Sequence, residues 1–155
     1  MLPYPCAENH YLANHIALVN RSFAHLLGYP LWLAKDANEL AKNLFYAPLV
    51  LLSHNTTADP LFTYANAQGL QLFELNWQEL IKLPSRASTE LANQTARAKL
   101  MENVTQHGFI TNYHGIRISK TGKRFKITNA IIWNLRDETG VYQGQAACFS
   151  DWTFL

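Results

Sequence analysis

Asp59-Pro60-Leu61-Phe62-Thr63-Tyr64-Ala65-Asn66-Ala67 opens a stretch, running to Phe149, in which aromatic, glycine and polar residues recur at spacings that core packing alone does not require. Phe73, Trp77, Leu83-Pro84-Ser85-Arg86, Gly108-Phe109, Tyr113, Gly115-Ile116-Arg117, Gly122 with Phe125, Trp133 and Gly144-Gln145-Ala146-Ala147 with Phe149 complete it. Leu61 to Ala65 reads as a strand leaving the Asp59-Pro60 turn, and Asn66 is placed to cap a short helix carrying Leu70 and Phe73. Asn76 with Glu79 three residues on forms a capping box for a second short helix ending before Pro84. Ser88 to His107 reads as a long helix with Ala92, Ala96, Leu100 and Val104 on one face and Gly108 as its stop. Two polar, glycine-bearing turns, Lys120 to Lys123 and Asp137 to Gly140, then divide the remainder into three strands of an antiparallel meander.

Working back towards the N-terminus, Ala47 to Ser53 is apolar on both alternating faces, so its strand is covered by two layers. Asp36 is placed to cap a helix that turns Leu40 and Leu44 inward, with Glu39 in its first turn. From about Glu8, Leu12, Ile16, Val19, Phe23 and Leu27 recur at steps of three and four, one stripe of a helix that Gly28 and Pro30 end. Residues 1–43 are therefore expected to form a helical extension and residues 44–155 the domain proper.

Those residues between Leu44 and Phe149 resemble the MEKHLA domain, a relative of the PAS sensory fold found in plant class III homeodomain leucine-zipper proteins and as stand-alone bacterial proteins; the resemblance here is to the stand-alone form. It implies an α+β architecture with a PAS-like five-stranded antiparallel sheet. Helices then close over one sheet face and leave a pocket, while the N-terminal extension covers the other. It also implies a sensory or interaction module whose ligand the family does not name.

Composition bounds the alternatives. At 155 residues and 48% hydrophobic, the chain suits one core. A net charge of +2 lacks the concentrated positive field of a dedicated nucleic-acid binder. The basic run Arg117, Lys120, Lys123, Arg124 and Lys126 surrounds a turn and is expected to be a solvated tip. Neither a signal peptide nor an apolar run long enough to span a membrane is present, so a cytoplasmic location with no membrane partner is expected. Cys6 and Cys148 make no redox or metal spacing.

Candidate site residues follow from strand parity. In Phe125 to Leu135 the odd positions are apolar except Asn129, and in Ile110 to Ile118 the even positions mix isoleucines with Asn112 and His114. An inward polar group needs a partner in the protein or on a ligand. Asn112, His114 and Asn129 are thus the expected pocket polar groups, the alternative being that they bond backbone, one another or water. Phe73, Trp77 and Trp133 are placed to stack on a flat ligand or to fill core. The family resemblance singles out Arg86 and Arg117, which suit an anionic ligand or an ion pair with Asp59 or Asp137.

No cofactor is assigned. The histidines share no metal-ligand spacing, His114 and His54 being the leading positions for a haem ligand. Flavin-bonding relatives place a reactive cysteine where this chain has Leu83-Pro84-Ser85-Arg86-Ala87. Ser53-His54 and Ser85-Arg86 lack a nucleophile elbow, and a one-residue acid or base such as His114 is the surviving route to an isomerase or hydrolase. The expected function is non-catalytic: a sensor binding a small molecule, a protein partner or both. The alternative is a dimerisation module with a filled interior. With no output domain recognisable in the sequence, a signal is expected to pass through a homodimer or a separate partner, with the first helix as the contact surface.

Overall fold

The computed structural model describes residues 1–155. Its sheet consists of β1 (Val50–His54), β2 (Phe62–Ala65), β3 (Phe109–Ile118), β4 (Arg124–Arg136), β5 (Tyr142–Phe149) and β6 (Asp151–Phe154). The order across the sheet is β2-β1-β5-β4-β3 with every neighbouring pair antiparallel, the five-stranded α+β arrangement expected. β6 extends it: β5 pairs Ile131 to Arg136 of β4, and β6 pairs Phe125 to Thr128 of the same strand. β1 is buried at all five positions, as its doubly apolar sequence requires.

Five helices flank the sheet: α1 (Ala13–Leu27), α2 (Ala37–Tyr46), α3 (Ala67–Phe73), α4 (Trp77–Leu80) and α5 (Gln94–His107). The sequence caps act as expected. Asp36 accepts from the Glu39 amide, Asn66 from the Gly69 amide, and Asn76 and Glu79 form the reciprocal box. Asn66 is fully buried, and its amide also donates to the carbonyls of Leu44 and Leu49, tying three elements together. Gly28 ends α1 at φ 86°, a left-handed position that costs glycine nothing.

α1 starts later than its stripe suggests. His10, Tyr11 and Leu12 have φ of 52°, 54° and 60°, so the chain makes a left-handed turn before Ala13 instead of continuing the helix from Glu8. Each such residue costs about 1–2 kcal/mol. Burial of Leu12 and packing of the Tyr11 ring on Phe45 and Tyr46 offset that strain. α1 then lies across one sheet face, its back face, with Ile16, Val19 and Phe23 fully buried. Trp133 Nε1 donates to the Val19 carbonyl at 3.2 Å, and the Arg136 amide donates to Ser22 Oγ at 3.0 Å. α3, α4 and α5 occupy the other side. One continuous hydrophobic cluster includes Ile16, Leu44, Leu51, Phe73 and Trp133, so residues on both sides of position 43 share a core.

Two departures move side chains to new faces. α5 begins at Gln94, after two 3-10 turns at Ser85–Ser88 and Leu91–Asn93; Ala92 and Ala96 are exposed, and the inward side is Arg97, Met101 and Val104. The sheet departs as well. Asn112 and Asn129 have φ of 53° and 54°. They are the extra residues of two bulges, because Ile110 pairs Ile132, Tyr113 pairs Ala130, and Gly115 pairs Ile127. β3 gains one residue, then β4 gains one, and the original register returns. Asparagine tolerates this left-handed geometry better than most residues. Beyond each bulge the alternation inverts. Tyr113, Gly115 and Arg117 share a face with Ile127 and Phe125, while Ala130 and Ile132 replace Ile131 and Trp133 on that face.

The turn between β3 and β4 is docked, not merely solvated. Lys120 pairs with Glu79, Lys123 with Glu74 at 3.2 Å, and Arg124 with Glu90 at 2.7 Å. Hydrogen bonds from the Thr121 and Ser119 hydroxyls, more than Lys123, hold the Glu74 carboxyl down at about 2.

Candidate functional site

β1, β4 and β5 turn the side chains of Leu52, Ile127, Ala130, Ile132 and Phe149 towards α3 and α5, and a cavity of about 50 Å3 remains between them. Phe62 and Phe73 complete its apolar wall; His54, Ser88, Arg97, Arg117 and Gln145 supply its polar wall. Phe73 is fixed by an edge contact with Phe125, ring centroids 5.2 Å apart.

The polar wall is built from the strand ends and α5. Asn134 and Gln145 pair across β4 and β5 and together cap the last turn of α5. Asn134 Nδ2 donates to the Val104 and Thr105 carbonyls at 3.0 Å, and Gln145 Nε2 donates to the Met101 carbonyl, Thr105 Oγ1 and Asn134 Oδ1. Helix-terminal carbonyls need such partners. At this wall Arg97 Nε is buried with no partner in the protein and Gln145 Oε1 has none beyond the neighbouring His54 imidazole, while Thr89 Oγ1 and Tyr64 Oη are buried and unpaired away from it.

Arg117 is buried, 8% exposed. One guanidinium nitrogen donates to the Ile116 carbonyl at 2.9 Å and another to Tyr113 Oη at 3.2 Å. The Tyr113 phenol folds back over Gly115 into the space a Cβ would take. A Cβ there would overlap the hydroxyl and stand 2.7 Å from Tyr113 Cζ and 3.0 Å from Arg117 Nη1. Arg97 projects from α5 into the same cavity. Burial, with Arg117 beside it, lowers its guanidinium to about 10, so it stays cationic at neutral pH. The four ion pairs of the molecule use Arg86, Lys120, Lys123 and Arg124; neither cavity arginine has a carboxylate. His54 Nδ1–H donates to its neighbour Asn55's carbonyl at 2.9 Å, and burial, with Arg97 nearby, holds the imidazole below its usual range.

Of the residues expected at the site, Phe73 and Arg117 line this cavity. Asn112, His114 and Asn129 do not: the bulges place all three on the exposed surface, His114 at the rim of an outer groove between α5 and β3. Trp133 lies under α1 against Phe23. Trp77 sits beyond β2, edge-on to Tyr4 and Tyr64, its Nε1 donating to the Leu2 carbonyl. Arg86 makes an exposed two-point pair with Asp59 at 3.0 and 3.1 Å, the ion-pair alternative. Sequence reasoning missed Arg97, because the face of α5 was drawn through its alanines. Arg97, Met101 and Val104, at steps of four and three, carry the correct stripe. Gln145 stood in a quoted motif with no role attached.

The fold and its relatives agree. A PAS domain from Colwellia psychrerythraea superposes with a TM-score of 0.62 at 13% identity, covering 74% of this chain and 92% of that one. A light-oxygen-voltage domain studied with a flavin analogue superposes at 0.60 and 19% identity, covering 75% and 84%. In sequence, the homeobox-leucine zipper protein HOX29 of Oryza sativa is 28% identical over 130 residues, 79% of this chain and 14% of that protein. ATHB-15 of Arabidopsis thaliana is 26% identical over 124 residues, again 14% of its length; the chain thus spans about one seventh of these plant proteins. The MEKHLA domain profile matches residues 13–154, from the first residue of α1 to the last of β6. With a PAS-like sheet, helices on both faces and that match over nearly its whole length, the chain belongs to the MEKHLA domain family.

Proposed function

We propose that this chain is a non-catalytic sensory domain that takes a small molecule into the cavity beneath α5 and passes on its occupancy by association with a second copy or another protein. The observation that carries the reading is the cavity's polar wall: two arginines without carboxylates, one of them with its buried Nε unpaired. Buried polar groups are ordinarily satisfied, and a fold optimised only for packing has no use for unsatisfied ones at a cavity. No nucleophile-base pair accompanies them, so the arrangement suits binding rather than turnover. Cytoplasmic placement belongs to the same reading.

A filled dimerisation module is the second reading, favoured by the small volume of the cavity. Native mass spectrometry of the purified full chain, with its absorption spectrum, separates the two. A copurified molecule lost on denaturation is the expected result. An empty chain whose cavity-lining methyl signals respond to no small molecule supports the filled module.

A further inference from the structure

Resting on the sensory reading above, we propose that the cavity binds a short-chain monocarboxylate, its anionic head between Arg97 and Arg117 and its apolar tail against Leu52, Phe62, Ile127 and Ile132. The charge argument comes first. A buried guanidinium is retained at low cost only when an anion or several acceptors satisfy it. Arg97 is half-buried: its Nε is buried with no partner, and its terminal nitrogens, which make no hydrogen bond within the protein, open onto the outer groove. Arg117 commits donors only to its own neighbour's carbonyl and to Tyr113 Oη. Elsewhere, Asp59, Glu74, Glu79 and Glu90 are each occupied by another cation. Two adjacent guanidiniums repel unless an anion lies between them, and a carboxylate accepts from both in the planar geometry that guanidinium offers.

Size and polarity narrow the class. A volume of about 50 Å3 holds roughly four water-sized occupants, which matches a molecule of about four to six non-hydrogen atoms. Ten of the sixteen lining residues are hydrophobic, so a fully hydrated anion such as phosphate is a poor match for the deep end, whereas a branched or straight alkyl tail is a good one. Arg97 and Arg117 border both the cavity and the outer groove between α5 and β3, which places the charged head at the entrance and the tail inside.

The test uses the full chain, methyl-labelled for NMR and titrated at constant ionic strength with sodium isobutyrate, with its neutral isostere isobutyramide, and with inorganic phosphate. Isobutyrate is expected to shift the Leu52, Ile127 and Ile132 methyl signals saturably, and Arg97→Gln to weaken it roughly tenfold or more. Because Arg97 has no protein partner to orphan, that variant is expected to keep its fold; Arg117→Lys, retaining charge without the two-point geometry, is the second variant. Isobutyramide binding as tightly as isobutyrate, or an affinity unchanged in both variants, overturns the anion seat while leaving a small-molecule sensor standing. Phosphate saturating the same methyl shifts overturns the apolar tail. No response to any of the three, with no copurified molecule by native mass spectrometry, overturns both this proposal and the sensory reading beneath it.

Discussion

At the scale of single residues, Gly115 and Asn129 carry opposite lessons. Gly115→Ala makes the end of the Tyr113 ring swing aside and with it breaks the hydrogen bond to Arg117; losing that bond costs roughly 0.5–1.5 kcal/mol. Urea denaturation is expected to show that loss, and an unchanged midpoint means that Tyr113 moves freely. Asn129→Leu is expected to cost about 1 kcal/mol through its left-handed φ of 54°, with no effect on cavity ligands, because the residue is exposed. Asn129→Gly should hold or raise stability. Had Asn129 lined the cavity, Leu would abolish binding instead. Why the asparagines misled is physical: period-two alternation reports a face only while the strand stays regular. An asparagine interrupting an apolar face was therefore read as a buried polar group when it marked the bulge itself. The same inversion means that strand parity alone puts Arg117 on the wrong face, since without a bulge at Asn112 it would point away from the cavity; the family resemblance, not parity, singled it out. The bulged alternation of β3 is not recoverable from strand parity alone.

At the scale of elements, capping chemistry was the most legible layer. Asp36, Asn66, Asn76 and Gly28 each stand where a helix begins or ends, because these contacts are local and depend on few neighbours. The break before α1 was not legible, as tertiary burial of Leu12 sustains a turn that local preference opposes. α1 also hides a titrating group. His15 Nε2 meets Ser53 Oγ at 2.9 Å, Ser53 meets Thr63 Oγ1 at 2.8 Å, and burial lowers the imidazole to about 4. Its folded pKa lies below the unfolded value of about 6.5, so the unfolded chain binds more protons between those values. Stability must fall as pH drops from about 6.5 to about 4, by on the order of 3 kcal/mol from this group. His15→Gln is expected to blunt that loss when urea midpoints at pH 7.5 and 4.5 are compared; equal losses in both proteins place the acid sensitivity elsewhere. Removing residues 1–30 deletes the whole helix and uncovers Trp133. Aggregation or an altered oligomeric state in light scattering is the expected outcome, and a soluble, equally stable remainder would show that the back face needs no cover.

At the scale of the whole molecule, the antiparallel meander was readable from turn chemistry and the doubly covered first strand from its apolar run, whereas the helical layers on either side followed from the family resemblance, and the order β2-β1-β5-β4-β3 came only with the structure. The volume left inside was not readable either, since it is a small difference between large packed volumes. That volume bears on cofactors. Sites for drug-sized ligands occupy ~300–1,000 Å3, and a cavity of about 50 Å3 seats neither haem nor a flavin ring without opening. Purified protein is therefore expected to show no Soret band and no light-bleached flavin absorbance; a stoichiometric chromophore would require the front helices to move apart. Lys120, Lys123 and Arg124 at the β3-β4 turn are each paired with a glutamate. Weak salt dependence of stability is expected, as exposed pairs contribute ~0–1 kcal/mol each.

The paired bulges at Asn112 and Asn129 also constrain how this sequence can change over generations. Deleting either residue alone would leave β3 and β4 one position out of step along half of their shared edge, sending Arg117 or Ile132 to the wrong side. Deleting both would straighten two strands and keep every pairing partner. Among relatives, the two positions should therefore be gained or lost together, and in the laboratory the double deletion should fold better than either single one.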